Sequence, residues 1–220
     1  MQLGNTVRTQ AAALALTLSM GLGAAVAPAA IVSFSSNGGF SGLSGCASCS
    51  ISGSGNNVDL SGFNNSTLSA IDFSDSFSTN ATRSIARLRW DNNASFFTDQ
   101  NFNVNYTLAL TFTAPSADVA GQVFNLNIQQ PTNPPGDIIS GLSIGGLPST
   151  IALSGVTVGG FNWVVSSGGS YAGGVWNNPE RNRSYLDLRA TFTQVPEPGT
   201  LALLGLGLAG LGLARRKRAA

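Results

Sequence analysis

The 220-residue chain contains no histidine. That absence removes Ser-His-Asp and Cys-His nucleophile systems, histidine-ligated zinc and most general-base designs at neutral pH. Charge is also sparse, at 10% of residues, where a soluble domain ordinarily carries about 25%. There is a single lysine, Lys217, and the span from Ala30 to Gln194 holds six Arg against nine Asp and Glu, a net of −3. A mildly acidic body without lysine cannot offer the clustered cations that phosphate backbones demand, so nucleic acid is set aside as a partner. Solubility has to come from neutral groups, the Ser, Thr and Asn that crowd the chain.

Only two cysteines are present, Cys46 and Cys49. Their C-x-x-C spacing lies among Gly and Ser with no helix start behind it. With no other Cys or His to complete a metal shell, the expected state is a small local disulfide of an oxidising compartment. Leu43-Ser44-Gly45-Cys46 has the look of a lipoprotein cleavage box, but a polar stretch separates it from any apolar signal, which rules lipidation out.

The remaining catalytic options are carboxylates. Asp72 with Asp75, or Glu180 with Asp187, are the pairs a glycosidase would need, and Asp59, Asp72 and Asp75 offer oxygens for calcium without an Asp-x-Asp-x-Asp-Gly loop. Neither spacing is distinctive, so the expectation is a protein that is not an enzyme and holds no cofactor or metal.

What the body does have is period-two patterning. Phe102, Val104, Tyr106, Leu108, Leu110 and Phe112 alternate with Asn, Thr and Ala over eleven residues, which makes a long strand with one face in the core. Ala86, Leu88 and Trp90, then Phe124, Leu126 and Ile128, then Phe161, Trp163 and Val165, then Leu186, Leu188, Ala190 and Phe192 repeat it. One-sided strands separated by Gly, Pro and Asn turns predict an all-β fold, an antiparallel two-sheet β-sandwich of jelly-roll type, over residues 30–194.

Elsewhere the pattern is thinner. Ile31–Phe34 reads as a short edge strand, Val58–Leu60 as another, and Leu68 to Phe73 as a third before a polar turn over Ser74–Asn80. Tyr171 and Trp176 fall among Gly and Asn and are expected in exposed loops, where a flat ring is a candidate for stacking on a sugar.

The two ends read as addresses. Arg8, an apolar stretch from Ala11 to Ala27 and the small residues Ala27, Ala29 and Ala30 form a signal peptide over 1–29, implying export through the general secretion machinery. At the other end, over 195–220, Val195-Pro196-Glu197-Pro198 precedes an apolar run from Leu201 to Ala214 and the basic group Arg215-Arg216-Lys217-Arg218. Two prolines keep Glu197 extended and out of any helix. The run gives about 21 Å of helix against a hydrocarbon core of roughly 30 Å. It is expected as a short transmembrane helix, lengthened by Gly199 and Thr200 and by snorkelling Arg, with the basic residues as its cytoplasmic stop.

This order of motif, apolar span and basic end resembles the PEP-CTERM protein-sorting domain of exopolysaccharide-producing Gram-negative bacteria. The resemblance implies processing by exosortase, an integral-membrane cysteine protease, at or near the Pro-Glu-Pro motif. It also implies a transient inner-membrane tether, followed by delivery to the envelope or extracellular matrix, with exopolysaccharide as a partner. The segment from Leu88 to Thr193, through Tyr106–Thr113 and Gly169-Ser170-Tyr171, is similar to the "choice-of-anchor" exported β domains. The expected function is a non-catalytic cell-surface or matrix protein; the alternative is a carbohydrate-binding module or carbohydrate-active enzyme of the exopolysaccharide matrix.

Overall fold

A computed structural model describes residues 29–60, 65–93, 100–131, 136–195 and 205–209. The body is β throughout. In chain order the strands are β1 (Ile31–Ser44), β2 (Ser50–Ser52), β3 (Asn57–Leu60), β4 (Ser66–Ile71), β5 (Ser74–Ser78), β6 (Ala81–Asn92) and β7 (Gln100–Ala114). They continue as β8 (Asp118–Gln130), β9 (Asp137–Ser140), β10 (Thr150–Leu153), β11 (Val156–Ser167), β12 (Ser170–Ala172), β13 (Val175–Asn178) and β14 (Asn182–Gln194). One sheet has the order β12-β13-β9-β8-β7-β1-β5 and the other β10-β11-β14-β6-β4-β3-β2, and the ladders between neighbours are antiparallel. This is the expected sandwich. We call the sheets the β7 sheet and the β14 sheet after their longest strands.

The long alternating segments fold as their period dictates. On β7 the residues from Phe102 to Phe112 at even numbers are all buried, and the odd-numbered positions between them face outward. Aromatic rings join the layers. Phe34 and Phe77 of the β7 sheet lie 6.2 and 4.8 Å from Phe192 of the β14 sheet, Phe124 lies 5.6 Å from Trp163, and Trp176 lies 5.4 Å from Trp90 in an edge-on contact. Edge-to-face and offset rings at these separations add to the area they bury.

Three local expectations are corrected, and β11 shows a feature its period does not. β1 is not a short edge strand: it runs 14 residues through the Ser/Asn/Gly-rich stretch and sits between β5 and β7. Gly38 is needed there, because a Cβ would meet the buried Tyr106 hydroxyl at 2.8 Å. Most of the proposed Ser74–Asn80 turn is strand β5, the true edge, with Phe77 turned into the core. On β11 the expected Phe161, Trp163 and Val165 set does pack on the core, and Val156 and Val158, of the opposite phase, are buried as well. The cause is a bulge between Gly159 and Asn162, with Gly160 at φ 64°; one extra residue exchanges the inward and outward sets. Finally, the two loops drawn around Tyr171 and Trp176 are strands β12 and β13, a hairpin turning at Gly173-Gly174.

Cys46 and Cys49 form a disulfide between β1 and β2, where the chain passes from one sheet to the other. Among the described residues no helix is long and apolar enough to cross a membrane. Residues 205–209 are helical and exposed. The rest of the apolar run, Arg215 to Arg218 and the signal peptide up to residue 28 lie outside the described residues.

Candidate functional site

The aromatic candidates come first, because the structure removes one of them. Trp176 is 0% exposed. Its indole N–H donates to Ser184 Oγ at 2.9 Å, and that hydroxyl donates to the Gly168 carbonyl at 2.8 Å. Period two across β13 turns Trp176 and Asn178 inward and Val175 and Asn177 outward. No face is free for a sugar, so the stacking role expected of Trp176 is withdrawn. Tyr171 is half-buried, its hydroxyl donating to the Leu142 carbonyl at 3.3 Å, and its ring packs on the core margin.

The carboxylates picked from sequence are mostly engaged in structure. Asp72 accepts from the Gly38 N–H at 2.8 Å, and Asp75 is exposed on β5 and accepts from the Ser76 N–H. Asp187 is buried and takes two hydrogen bonds from Arg87, at 2.6 and 2.9 Å, and one from Ser84 at 3.0 Å. Burial alone would raise its pKa; the Arg87 and Ser84 hydrogen bonds and the Arg87 charge outweigh burial and hold it below the usual range. Glu180 pairs with a residue that sequence reasoning passed over, Asp137 at the start of β9. Asp137 is 2% exposed and is pushed up to about 8, first by burial and then by the neighbouring Glu180. Carboxyl groups within hydrogen-bonding reach of each other are too close for a glycosidase, which needs roughly 5–9.5 Å between them. Among the described residues no three Cys, Asp or Glu gather in one group.

The outer faces differ in chemistry. On the β14 sheet, Arg87 pairs with Asp187, Asp91 bonds both Arg89 and Arg183, and the Arg87 guanidinium lies over the Phe73 and Tyr185 rings at 5.5 and 5.4 Å. On the β7 sheet the outward positions of β7 and β8 pair Asn101 with Gln129, Asn103 with Asn127, Asn105 with Asn125 and Thr107 with Val123. Asn127 donates to Asn103 and Gln129 to Asn127, both at 2.9 Å. β1 adds Ser35, Asn37, Gly39 and Ser41 beside them. No charged side chain interrupts these rows.

The C-terminal exit lies at one end of the sandwich. Thr79 and Asn80, in the turn before β6, hold Gln194 by hydrogen bonds of 3.3 and 3.2 Å, and Val195 N–H donates to the Gly155 carbonyl at 2.9 Å. Val195 is half exposed and is the last described residue before the tail; Pro196, Glu197 and Pro198 lie outside the described residues. The strand ladder therefore ends where the Pro-Glu-Pro segment starts.

Residues 194–218 match the family model of the PEP-CTERM protein-sorting motif. This chain carries a PEP-CTERM sorting signal. No curated protein and no solved structure matches it. The PEP-CTERM match makes the protein an exported substrate of exosortase, tethered transiently at the membrane of a Gram-negative bacterium. It begins at Gln194, the last residue of β14, so folded domain and PEP-CTERM signal meet with no spacer between them.

Proposed function

We propose that the protein is a non-catalytic surface or matrix component: an exported β-sandwich that exosortase releases from its C-terminal tether by cutting at or near Pro196-Glu197-Pro198. The observation that supports this is the junction at Gln194–Val195. A cut just beyond it removes the apolar run and the basic tail while leaving every strand and the Val195–Gly155 hydrogen bond in place. The prolines add to this reading, because they deny the segment a helix or a ladder partner and leave extended backbone for a protease to bind. The apolar run from Leu201 to Ala214 is the transient membrane span in this proposal, stopped by Arg215 to Arg218 on the cytoplasmic side.

Intact-mass measurement of the protein recovered from its native host tests it. The expected product ends between Val195 and Gly199 and starts near Ala30. Mature protein that retains Leu201 to Ala220 overturns the reading, and a mass beyond the cut chain reports an attached group.

The carbohydrate alternative survives on a different surface from the one expected. The uncharged amide and hydroxyl rows of β1, β7 and β8 offer donors and acceptors without fixed charge, which suits a neutral polysaccharide lying across the strands. Sedimentation with insoluble neutral glycans should show retention of the wild type and loss of retention in an Asn103→Ala, Asn127→Ala variant. Equal retention of both removes this alternative.

A further inference from the structure

The end of the sandwich opposite the sorting signal holds a buried polar group for which the sorting role has no use. β14 runs from Asn182 to Gln194, so at about 3.3 Å per residue its two ends lie roughly 40 Å apart. Glu180 sits in the turn just before β14, where the chain passes from β13 in one sheet to β14 in the other.

That turn is built to hold a fixed position. Asn92 Nδ2 donates to the carbonyls of Asn178 and Pro179 at 2.9 and 3.3 Å. Asn178 Nδ2 in turn donates to the carbonyls of Trp90 and Asn182, and Asn182 donates back to Asn178 Oδ1 at 2.9 Å. Asn92 and Asn178 are buried, which makes these amide bonds a rigid support. From the other side Gly136 presses against the same turn: a Cβ there would meet the Asn178 carbonyl oxygen at 2.9 Å and Pro179 Cα at 3.0 Å. The close approach brings Asp137, the next residue, to Glu180.

The polar atoms brought together are nearly all acceptors. Asp137 Oδ1, both Glu180 carboxylate oxygens and both amide atoms of Gln130 are buried without a hydrogen-bond partner. Gln130 is 3% exposed and lies at the end of β8 against Asp137. It also lines a cleft of about 320 Å³, with Gln100, Asn101, Gln129 and Asn177, that opens this end of the molecule to solvent. With Asp137 enclosed and the half-buried Glu180 beside it, a shared proton or a bound cation would relieve the repulsion between the two carboxyl groups. A shared proton makes one O–H···O bond and leaves the other oxygens and the Gln130 carbonyl unsatisfied. A divalent cation is coordinated by the carboxylate oxygens and the Gln130 carbonyl together and cancels both negative charges, the Gln130 amide N–H being left to donate to water or to the Asp137 carboxylate.

We propose that Asp137, Glu180 and Gln130 form a calcium-binding site at the end of the sandwich distal to the sorting signal. The donors are oxygens only, which selects a hard cation over zinc or copper. Calcium fits better than magnesium, because it accepts carboxylate and amide oxygens in irregular geometry and takes its remaining ligands as water, for which the cleft beside Gln130 is the nearest solvent, whereas magnesium demands a regular octahedron. The cation would tie β8, β9 and the β13–β14 turn together, closing the sheet-to-sheet passage as the disulfide closes the one after β1.

The test is calorimetric titration and thermal melting of the EDTA-treated protein with calcium chloride and, separately, magnesium chloride. One saturable calcium site is expected, with a dissociation constant on the order of 0.1–1 mM as in extracellular modules. A melting-temperature rise of roughly 5–10 °C is expected at hundredfold excess, with a much smaller response to magnesium. Glu180→Gln, in a half-buried turn, should fold and lose the calcium response. Asp137→Asn should lose it as well, and Asp75→Asn, on the exposed edge, should keep it. Two results overturn the proposal: no heat with identical melting in EDTA and calcium, which leaves the pair with a shared proton, or a wild-type response retained in Glu180→Gln, which puts any bound ion elsewhere.

Discussion

The two sheets share one core and turn different chemistries outward. The β14 sheet carries five of the six arginines of the folded body, and Arg87–Asp187 and Arg183–Asp91 contacts join β6 to β14 across the strands, with Asp187 fully enclosed. The central strands of the β7 sheet carry amides and hydroxyls in facing rows. A charged ladder is locally specific, because each guanidinium has one carboxylate it fits and misregister is penalised. An amide ladder is permissive, since every Asn or Gln can donate or accept. The first face suits a structural role that fixes the register of β6 and β14, and the second is free to meet a partner.

The largest effect should come from the layer both sheets share. Trp176→Ala removes the ring that meets Trp90 and leaves Ser184 without its indole donor, so a loss of about 3–5 kcal/mol is expected in urea unfolding. A loss under about 1 kcal/mol would mean that the β12–β13 hairpin is not part of the cooperative unit. Next comes the enclosed charge. Asp187→Ala leaves Arg87 and Ser84 without their acceptor and should cost about 3 kcal/mol, the low end for a buried pair because Arg87 keeps some contact with water.

The same residue gives a pH test. Asp187 has a folded pKa below its unfolded value, so its contribution is fully present above about pH 4 and is lost as pH falls from there through the folded pKa. The difference between wild type and Asp187→Asn in urea midpoint should therefore be constant at neutral pH and shrink only below about pH 4. A difference that already shrinks between pH 7 and 5 would assign the effect to another group. At the exposed end of the ladder, Arg183→Gln should lower the midpoint less than either Asp187 change, and the change should vanish at high salt.

The smallest effects belong to the amide face. Asn103→Ala and Asn127→Ala should each shift stability within about 0.5 kcal/mol, since water replaces the lost partner. A cost near that of Asp187→Ala would erase the contrast between the faces.

Legibility in the sequence followed length of pattern. β7, β8, β6 and β14 are long enough for period two to identify both strand and core face, and their buried residues are the ones expected. β12 and β13 have three and four residues around a Gly-Gly turn, too few for a period to show, so Trp176 read as a loop ring when it is core. On β11 the Phe161, Trp163 and Val165 set packs on the core as its period predicts, while a bulge adds Val156 and Val158 from the opposite phase, which no single period along the strand shows. Sequence proximity pairs Glu180 with Asp187, seven residues along the chain, whereas in the fold its neighbour is Asp137, 43 residues before it.

The chain alone determined the alternating faces, the absence of histidine chemistry and the sorting signal. Each depends on neighbouring residues or on composition, and the signal is matched as a contiguous segment. Tertiary structure decided what depends on contacts between distant segments: the burial of Trp176, the enclosure of Asp187 by Arg87, and the meeting of Asp137, Glu180 and Gln130 where β8, β9 and the β13–β14 turn converge. Those outcomes depend on how two sheets stack and where glycine lets backbones touch, and no period along one strand encodes them.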